Sequence, residues 1–272
     1  MHDSETEDIF DRRVDMIIDA HCHIWSFEGV PYYGEKSLFT YMREQKIDKI
    51  SMICMNESEN ERMRGLVRKY PEQLFGVSYV DVSNMDTSLK ELRNDVKNGL
   101  VHAVKIYPYF EHFFVDSREL YPFYETVREL DIPVIPHLGW VNMDVDRSCG
   151  NKGAYRYTGF PAQYGTVLED FPGLKIVFTH LGGNYYYEFL TMAERFPSVM
   201  METAWLPDYC TRQFPPLDMH AWLRHAIAIL GAGRVMYGGE GVFPSDIEML
   251  GFSAKETAMI LGENAKAYFR LD

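Results

Sequence analysis

Asp19, His21 and His23 occupy alternate positions in the apolar stretch MIIDAHCHIW, residues 16–25. Successive side chains of a strand point to opposite faces, so we expect these three to share one face and Cys22 to point to the other. Two imidazoles and a carboxylate are costly to bury unless they find partners. Neutral imidazole and carboxylate are the usual ligands of a catalytic divalent metal. The stretch therefore predicts the beginning of a metal site.

Other titratable side chains also end apolar, strand-like runs. His137 closes IPVIPHL, His180 closes LKIVFTH, and Glu240 follows RVMYGG. The carboxyl ends of all strands meet at one rim if the strands close into a barrel. Two or three histidines with one carboxylate would hold zinc there and leave a place for water, whose pKa the metal would lower toward ~7. We predict His21, His23, His137 and Glu240 as the metal ligands.

Three further residues are candidates for substrate binding. Lys105 lies near the end of the run VHAVKIY, where it would bind a substrate carboxylate or pair with a nearby acid. Tyr107 and Trp140 could line the pocket, although aromatic side chains at strand ends also pack in cores. Glu202, near the end of SVMMET, is expected to be structural or to support a metal ligand. The loop 139–158 is the main candidate for a lid.

The elements that would position these residues alternate between strand-like and helix-like segments. The eight apolar runs are residues 16–23, 49–55, 75–80, 101–107, 132–138, 174–180, 198–203 and 234–239. Amphipathic stretches with apolar residues at three- and four-residue steps separate them. Eight βα units in roughly 250 residues predict an α/β fold, a closed (β/α)8 TIM barrel, with an open doubly wound sheet as the alternative. Ser253 and Glu256 have capping-box spacing at the start of a final helix.

Composition bounds the class of protein. The chain has 272 residues, of which 46% are hydrophobic, and a formal net charge of −13 without a Lys/Arg run. This argues against nucleic-acid and anionic-membrane partners. Residues 1–15 form a polar leader without the features of a signal peptide, and residues 16–272 form one predicted barrel domain. The cysteines are widely spaced, which is typical of reduced thiols and predicts a cytoplasmic protein. They are Cys22, Cys54, Cys149 and Cys210.

Taken together, these segments resemble the amidohydrolase superfamily, in particular its amidohydrolase-related branch, which includes aminocarboxymuconate-semialdehyde decarboxylase-like enzymes. The resemblance runs from about residue 16 to 270. It is carried by IIDAHCHIW, AVKIYP, IPVIPHLG, KIVFTHLGG, RVMYGGEGVFP and ILGENAKAYFRL. It implies a metal-dependent barrel in which His21 and His23 bind the metal from the first strand and His137 from the fifth. It also implies that His180 contacts the metal-bound water or the substrate.

The sequence departs from this family at the end of the eighth strand. The family normally has Gly-Ser-Asp-x-Pro there, with the Asp binding metal and handling the proton, whereas this chain has Gly238-Gly239-Glu240 and its proline only at Pro244. A glutamate keeps the carboxylate but moves its oxygens by roughly 1 Å or more, which can matter to catalysis. We predict that Glu240 is retained as ligand or base. The alternatives are a base acting only through water, or loss of activity.

Three functions are compatible with these residues. The leading one is a metal-dependent hydrolase of a small molecule, in which Glu240 takes the proton of the metal-activated water and His180 orients that water or stabilises negative charge. Lys105 would bind an acidic group of the substrate. The alternative is a lyase, a nonoxidative decarboxylase of a hydroxy-aromatic or related acid. A lesser alternative is a binding protein that has lost catalytic activity. Zn²⁺ is the expected metal, with Mn²⁺ or Fe²⁺ as alternatives; a homodimer is expected by analogy of fold.

Overall fold

Eight parallel strands follow one another around a single sheet in the order β1 to β8. We analysed a computed structural model of the protein, which describes residues 16–23, 34–139, 141 and 143–271. The strands are β1 (Ile18–Asp19), β2 (Lys49–Ile53), β3 (Leu74–Tyr79), β4 (Val101–Ile106), β5 (Val134–Pro136), β6 (Ile176–Phe178), β7 (Val199–Glu202) and β8 (Val235–Met236). All eight predicted runs contain a strand. The predicted leader, residues 1–15, lies outside the described residues.

The sheet curls until its two ends meet. Each strand pairs in parallel with the next one in sequence, and the backbone N–H of Ala20 after β1 donates to the carbonyl of Tyr237 after β8 at 3.0 Å. A doubly wound sheet would reverse its strand order partway across, which this sheet does not. The predicted TIM barrel is therefore confirmed, and the open-sheet alternative is wrong.

Helices follow the strands on the outside of the barrel. They are α1 (Gly34–Gln45), α2 (Glu57–Lys69), α3 (Met85–Lys97), α4 (Pro108–Glu111), α5 (Tyr121–Glu129), α6 (Met143–Ser148), α7 (Pro161–Asp170), α8 (Tyr186–Arg195), α9 (Leu206–Arg212), α10 (Met219–Leu230), α11 (Pro244–Glu248), α12 (Ala254–Ala258) and α13 (Asn264–Phe269). A π-helical turn, Met259–Glu263, joins the last two into the predicted final helix. Its capping box is present, since Ser253 and Glu256 each bond the other's backbone N–H.

The core has an inner and an outer part. The inner part fills the barrel with one apolar side chain from each strand: Ile18, Ile53, Phe75, Ala103, Ile135, Val177, Met200 and Met236. Because strand side chains alternate, the residue two positions further along points inward as well. On three strands that residue is titratable. These are Lys105, His137 and Glu202.

Among the described residues, none of the helices combines the length and the apolar character that crossing a membrane requires.

Candidate metal centre

Three side chains converge at the carboxyl end of the barrel. One ligand atom from each of His21, His23 and Glu240 lies within 4.8 Å of the others. The Nε2 atom of His21 is 3.7 Å from Glu240 Oε2, and Nε2 of His23 is 3.9 Å from Glu240 Oε1. One ion about 2 Å from each atom can bridge such separations. The donor atoms and their spacing therefore fit a divalent metal.

The turn after β8 needs its two glycines. A Cβ atom at Gly238 would lie 2.3 Å from Oε2 of Glu202, and one at Gly239 would lie 2.4 Å from Oδ2 of Asp19. Gly239 stands where the related family has serine, so the close approach of Asp19 explains that departure. Glu240 then adopts φ +52°. This left-handed conformation is uncommon for a residue with a Cβ, and it occurs where a side chain has to be directed to a site.

Asp19 holds the ends of the first and eighth strands together. Its Oδ1 atom accepts hydrogen bonds from the backbone N–H groups of His21 and Gly239, both at 2.9 Å. Burial raises the pKa of Asp19 to about 7. Although it was expected on the same face as the two histidines, Asp19 uses its carboxylate to bind backbone. It thereby fixes the segment that carries His21 beside the turn that carries Glu240.

Glu202 supports His21 from the seventh strand. Its Oε1 atom is 3.2 Å from Nδ1 of His21 and accepts the backbone N–H of His180 at 2.8 Å; its Oε2 accepts the N–H of Ala204 at 2.6 Å. A carboxylate only accepts hydrogen bonds, so the hydrogen of His21 belongs on Nδ1. The lone pair of Nε2 then points toward Glu240, and a carboxylate behind a histidine commonly orients it for a metal in this way.

His180 lies just beyond its strand. Strand β6 ends at Phe178, and His180 follows in the segment Thr179–Tyr185, where it has a non-helical backbone with φ +57°. Its Nδ1 atom bonds the carbonyl of Ala204 at 2.8 Å, and its ring centroid is 5.3 Å from that of His21. The backbone therefore places this imidazole at the edge of the group of ligand atoms.

His137 is a second imidazole beside His180. The ring centroids of His137 and His180 are 5.6 Å apart, and the ring of Tyr107 stacks on His137 at 6.5 Å. The structure thus brings His137 to the same end of the barrel as the three convergent residues. Its role as a fourth metal ligand stays a prediction.

Lys105 is a buried cation beneath these groups. Its side chain is 0% exposed, its Nζ lies 5.4 Å from the centroid of the Tyr107 ring, and it has no hydrogen-bond partner within the described part of the chain. Burial lowers the pKa of Lys105 to about 8, against the opposing influence of Glu202 and Glu240. A buried amine with free donors suits an anionic group of a ligand.

In the absence of a cation, burial favours the metal-binding form of the histidines but not that of Glu240. Burial lowers the pKa of His21, His23 and His180 well below the ordinary value, so these imidazoles are neutral. Neutral imidazole is the form that ligates a metal. Burial also raises the pKa of Glu240 to about 8, with Lys105 acting in the opposite direction. A cation bound beside Glu240 would hold its carboxylate in the charged form.

Two aromatic residues, Tyr107 and Trp140, were predicted to bind substrate, and the structure describes only the first. Trp140 lies outside the described residues. Tyr107 is buried, and its hydroxyl donates to the carbonyl of Cys54 at 3.3 Å. It lines a cavity of about 470 Å³, whose walls also include Tyr79 and Glu111. The sequence analysis did not identify Tyr79 and Glu111 as candidate site residues. Tyr79 could have been identified, because it is a polar residue at the end of β3.

Comparisons with known proteins agree with this architecture. The chain is 25% identical over 244 residues to a 2-keto-4-carboxy-3-hexenedioate hydratase from Sphingobium, covering 78% of this chain and 71% of that protein. A dihydroxybenzoic acid decarboxylase from Polaromonas sp. JS666, solved with manganese and the inhibitor 2-nitroresorcinol, shares the fold with a TM-score of 0.70 at 15% identity, over 94% of this chain and 97% of that one.

A second solved structure is similar over the same length. It is a probable 2-pyrone-4,6-dicarboxylic acid hydrolase from Acinetobacter baumannii with citric acid bound, with a TM-score of 0.67 at 16% identity, covering 93% of this chain and 99% of that one. The sequence model of the amidohydrolase family matches residues 18–271. The match spans every strand of the barrel and confirms the resemblance. The chain is an enzyme of the amidohydrolase family.

Proposed function

We propose that this chain is a metal-dependent hydrolase of a small, carboxylate-bearing molecule. The observation that carries the proposal is the convergence of His21, His23 and Glu240 to within 4.8 Å of one another. Zinc is the proposed metal, and manganese or iron would suit the same ligands. When bound, a divalent metal lowers the pKa of water and polarises a carbonyl group.

The residues around that centre have separate proposed roles. Glu240 holds a proton taken from the attacking water, and His137 completes the ligand set. His180, fixed through Nδ1 by the Ala204 carbonyl, presents Nε2 to the substrate or to the water. Lys105 binds the substrate carboxylate from below, since its buried ammonium has donors to spare. Each proposed role requires one atom to be held in a defined position.

A nonoxidative decarboxylase is the second candidate. The buried Lys105 favours it, because a cation in the floor of the site can hold the carboxylate that is lost or supply the proton that replaces it. The similar fold of a dihydroxybenzoic acid decarboxylase points the same way. Both candidates take a small-molecule substrate. The homodimer and the cytoplasmic location stay predictions.

Metal content tests the proposal before any substrate is known. We expect zinc-loaded protein, dialysed against buffer, to retain metal by elemental analysis, and the double variant His21→Ala/His23→Ala to lose it. His220→Ala is the matched control, because this histidine bonds Asp246 on the outer helices. Full metal content in the double variant would show that the assignment is wrong.

Products separate the two reactions. Purified metal-loaded protein is incubated with lactones and with a panel of hydroxybenzoates, and both acid release and CO₂ release are measured. Ring opening of a lactone without CO₂ supports the hydrolase. CO₂ release from a hydroxybenzoate that is lost in the double histidine variant supports the decarboxylase instead.

A further inference from the structure

A cavity of 470 Å³ lies beyond the carboxyl ends of the second, third and fourth strands and shares one wall residue, Tyr107, with the surroundings of His137 and Lys105. Its walls include Glu59, Tyr79, Tyr107, Phe110, Glu111 and Lys152. Three of these side chains are aromatic and two are carboxylic acids, whereas Lys152 is exposed. The cavity therefore combines three aromatic side chains with two carboxylic acids, and its volume suits part of a small molecule.

Glu111 offers an oxygen atom that has no partner. Its Oε1 accepts a hydrogen bond from the Tyr79 hydroxyl at 2.5 Å, whereas Oε2 is buried and has no hydrogen-bond partner among the described residues. Burial raises the pKa of Glu111 to about 7. Buried polar atoms in native proteins nearly always have partners, so this oxygen is suited to a hydrogen-bond donor on a ligand. Glu59 differs, because its Oε2 accepts the Met55 N–H at 2.7 Å.

Tyr107 joins this cavity to the metal centre. Its ring forms a wall of the cavity, stacks on His137 with centroids 6.5 Å apart, and lies 5.4 Å from the Lys105 Nζ. A ligand with its carboxylate near Lys105 and its body along Tyr107 would reach the cavity with its far end. Such a ligand would place a polar substituent of that end near Glu111.

We propose that this cavity is a specificity subsite, which binds a hydroxyl or amino group at the far end of the substrate and disfavours a second carboxylate there. The proposal rests on the proposed function, because it takes the substrate's first carboxylate to lie at Lys105. A donor satisfies Oε2 of Glu111, whereas a second carboxylate offers that oxygen no hydrogen and would meet the carboxyl groups of Glu59 and Glu111, opposed only by the exposed ammonium of Lys152. The substrate class is then a hydroxylated or aminated monoacid.

Calorimetric titration with matched benzoates tests this proposal. Zinc-loaded protein is titrated with benzoate, 3-hydroxybenzoate and isophthalate, which differ only in the substituent that would face Glu111. We expect 3-hydroxybenzoate to bind at least about tenfold more tightly than isophthalate. In Glu111→Gln the preference should largely disappear, while benzoate affinity and metal content stay unchanged. Glu125→Gln, on the exposed face of α5, is the control and should retain the preference.

Comparable or tighter binding of isophthalate to the unmodified protein would overturn the proposal, and so would the absence of 3-hydroxybenzoate binding at millimolar concentration. A preference that survives in Glu111→Gln would overturn it too. The same titrations without metal separate this result from the fate of the proposed function. If metal fails to bind but the preference and its loss in Glu111→Gln persist, the function is wrong and the subsite stands. Metal binding and turnover without the preference would give the opposite conclusion.

Discussion

The two sides of the barrel mouth hold their carboxylates in different ways. On the metal side, Oδ1 of Asp19 accepts two backbone N–H groups, although its Oδ2 is buried without a hydrogen-bond partner among the described residues. Glu202 accepts two more backbone N–H groups, one at each oxygen, while facing the imidazole of His21. On the cavity side, Glu111 is bonded at Oε1 to a tyrosine hydroxyl, and its second oxygen has no partner among the described residues. The carboxylates on the metal side are held by backbone N–H groups, whereas the carboxyl group on the cavity side is held by the side chain of Tyr79.

We infer that the metal side carries out the reaction and that the cavity side determines which molecule binds. Groups bound to backbone cannot move without moving a strand end, which is what a metal site needs, because ligand positions must hold to a fraction of an ångström. An oxygen left for a ligand gains its partner only when the right molecule arrives, and a wrong molecule leaves it buried and unpaired. We therefore expect substitutions on the metal side to change metal binding and turnover, and substitutions in the cavity to change which molecule binds.

The largest effect is expected from Glu240→Asp. The variant restores the residue that the related family carries, but here it withdraws the carboxylate from two imidazoles that lie 3.7 and 3.9 Å away. A displacement of roughly 1 Å can lower the rate by about 100-fold. We expect a loss of that size in turnover of the best substrate from the panel, measured in metal-saturated protein.

Glu111→Asp shortens a carboxylate by the same methylene on the cavity side. It should leave metal affinity unchanged and alter mainly the choice of ligand. Turnover of Glu240→Asp equal to that of the unmodified protein would mean that Glu240 is not held at the reacting atoms, and the contrast between the two sides would lose its main support.

The next effect concerns Glu202→Gln, which keeps the shape of the side chain but removes its charge. Without the carboxylate, the hydrogen on Nδ1 of His21 is less firmly held and Nε2 is a weaker donor to metal. Loss of such a supporting carboxylate typically lowers metal affinity by about 10- to 100-fold. A chelator competition should show at least about a tenfold decrease, with Glu111→Gln unchanged. Equal metal affinity in both variants would show that Glu202 is only structural.

The sequence was sufficient for the framework of this site. Near-continuous apolar runs predict buried parallel strands, and the alternation at His21 and His23 is local, so both could be recognised without coordinates. Seven of the eight strands lie within the predicted runs, and β3 begins one residue before its run. The same local reasoning placed Glu240 at a strand end, and the structure brings it to the two histidines.

Contacts between distant segments were not predictable in the same way. One of the two N–H groups that bind Asp19 belongs to Gly239, which is 220 positions away in the sequence, and the contact of Glu202 with His21 spans 181 positions. No pattern within one strand encodes such pairs. The left-handed conformation of His180 also escaped prediction, because it depends on the turn that follows β6 rather than on the strand itself. Glu111 was missed since it lies in a short helix, away from any strand end.

The smallest effect is expected on the cavity side, in the pH dependence of stability. Folding raises the pKa of Glu111 from 4.5 to about 7, chiefly through burial, with Asp81 adding to the rise and the Tyr79 hydroxyl opposing it. In the unfolded chain the carboxyl group ionises near its ordinary pKa. Between those two values the folded state binds more protons, so the contribution of Glu111 to stability is greatest below pH 4.5 and decreases as the pH rises to about 7.

In Glu111→Gln the side chain cannot ionise, so the stability of the variant does not show this decrease with rising pH. Relative to the unmodified protein, the variant should therefore gain stability between pH 5 and pH 8, by about 2–3 kcal/mol at most. Urea unfolding at a series of pH values measures the difference, with Glu125→Gln as the exposed control that should show almost no trend. If the difference were constant across the series, the carboxyl group of Glu111 would be solvated in the folded protein. Its unpartnered oxygen would then need no ligand, and the distinction between the two sides of the mouth would rest on the metal side alone.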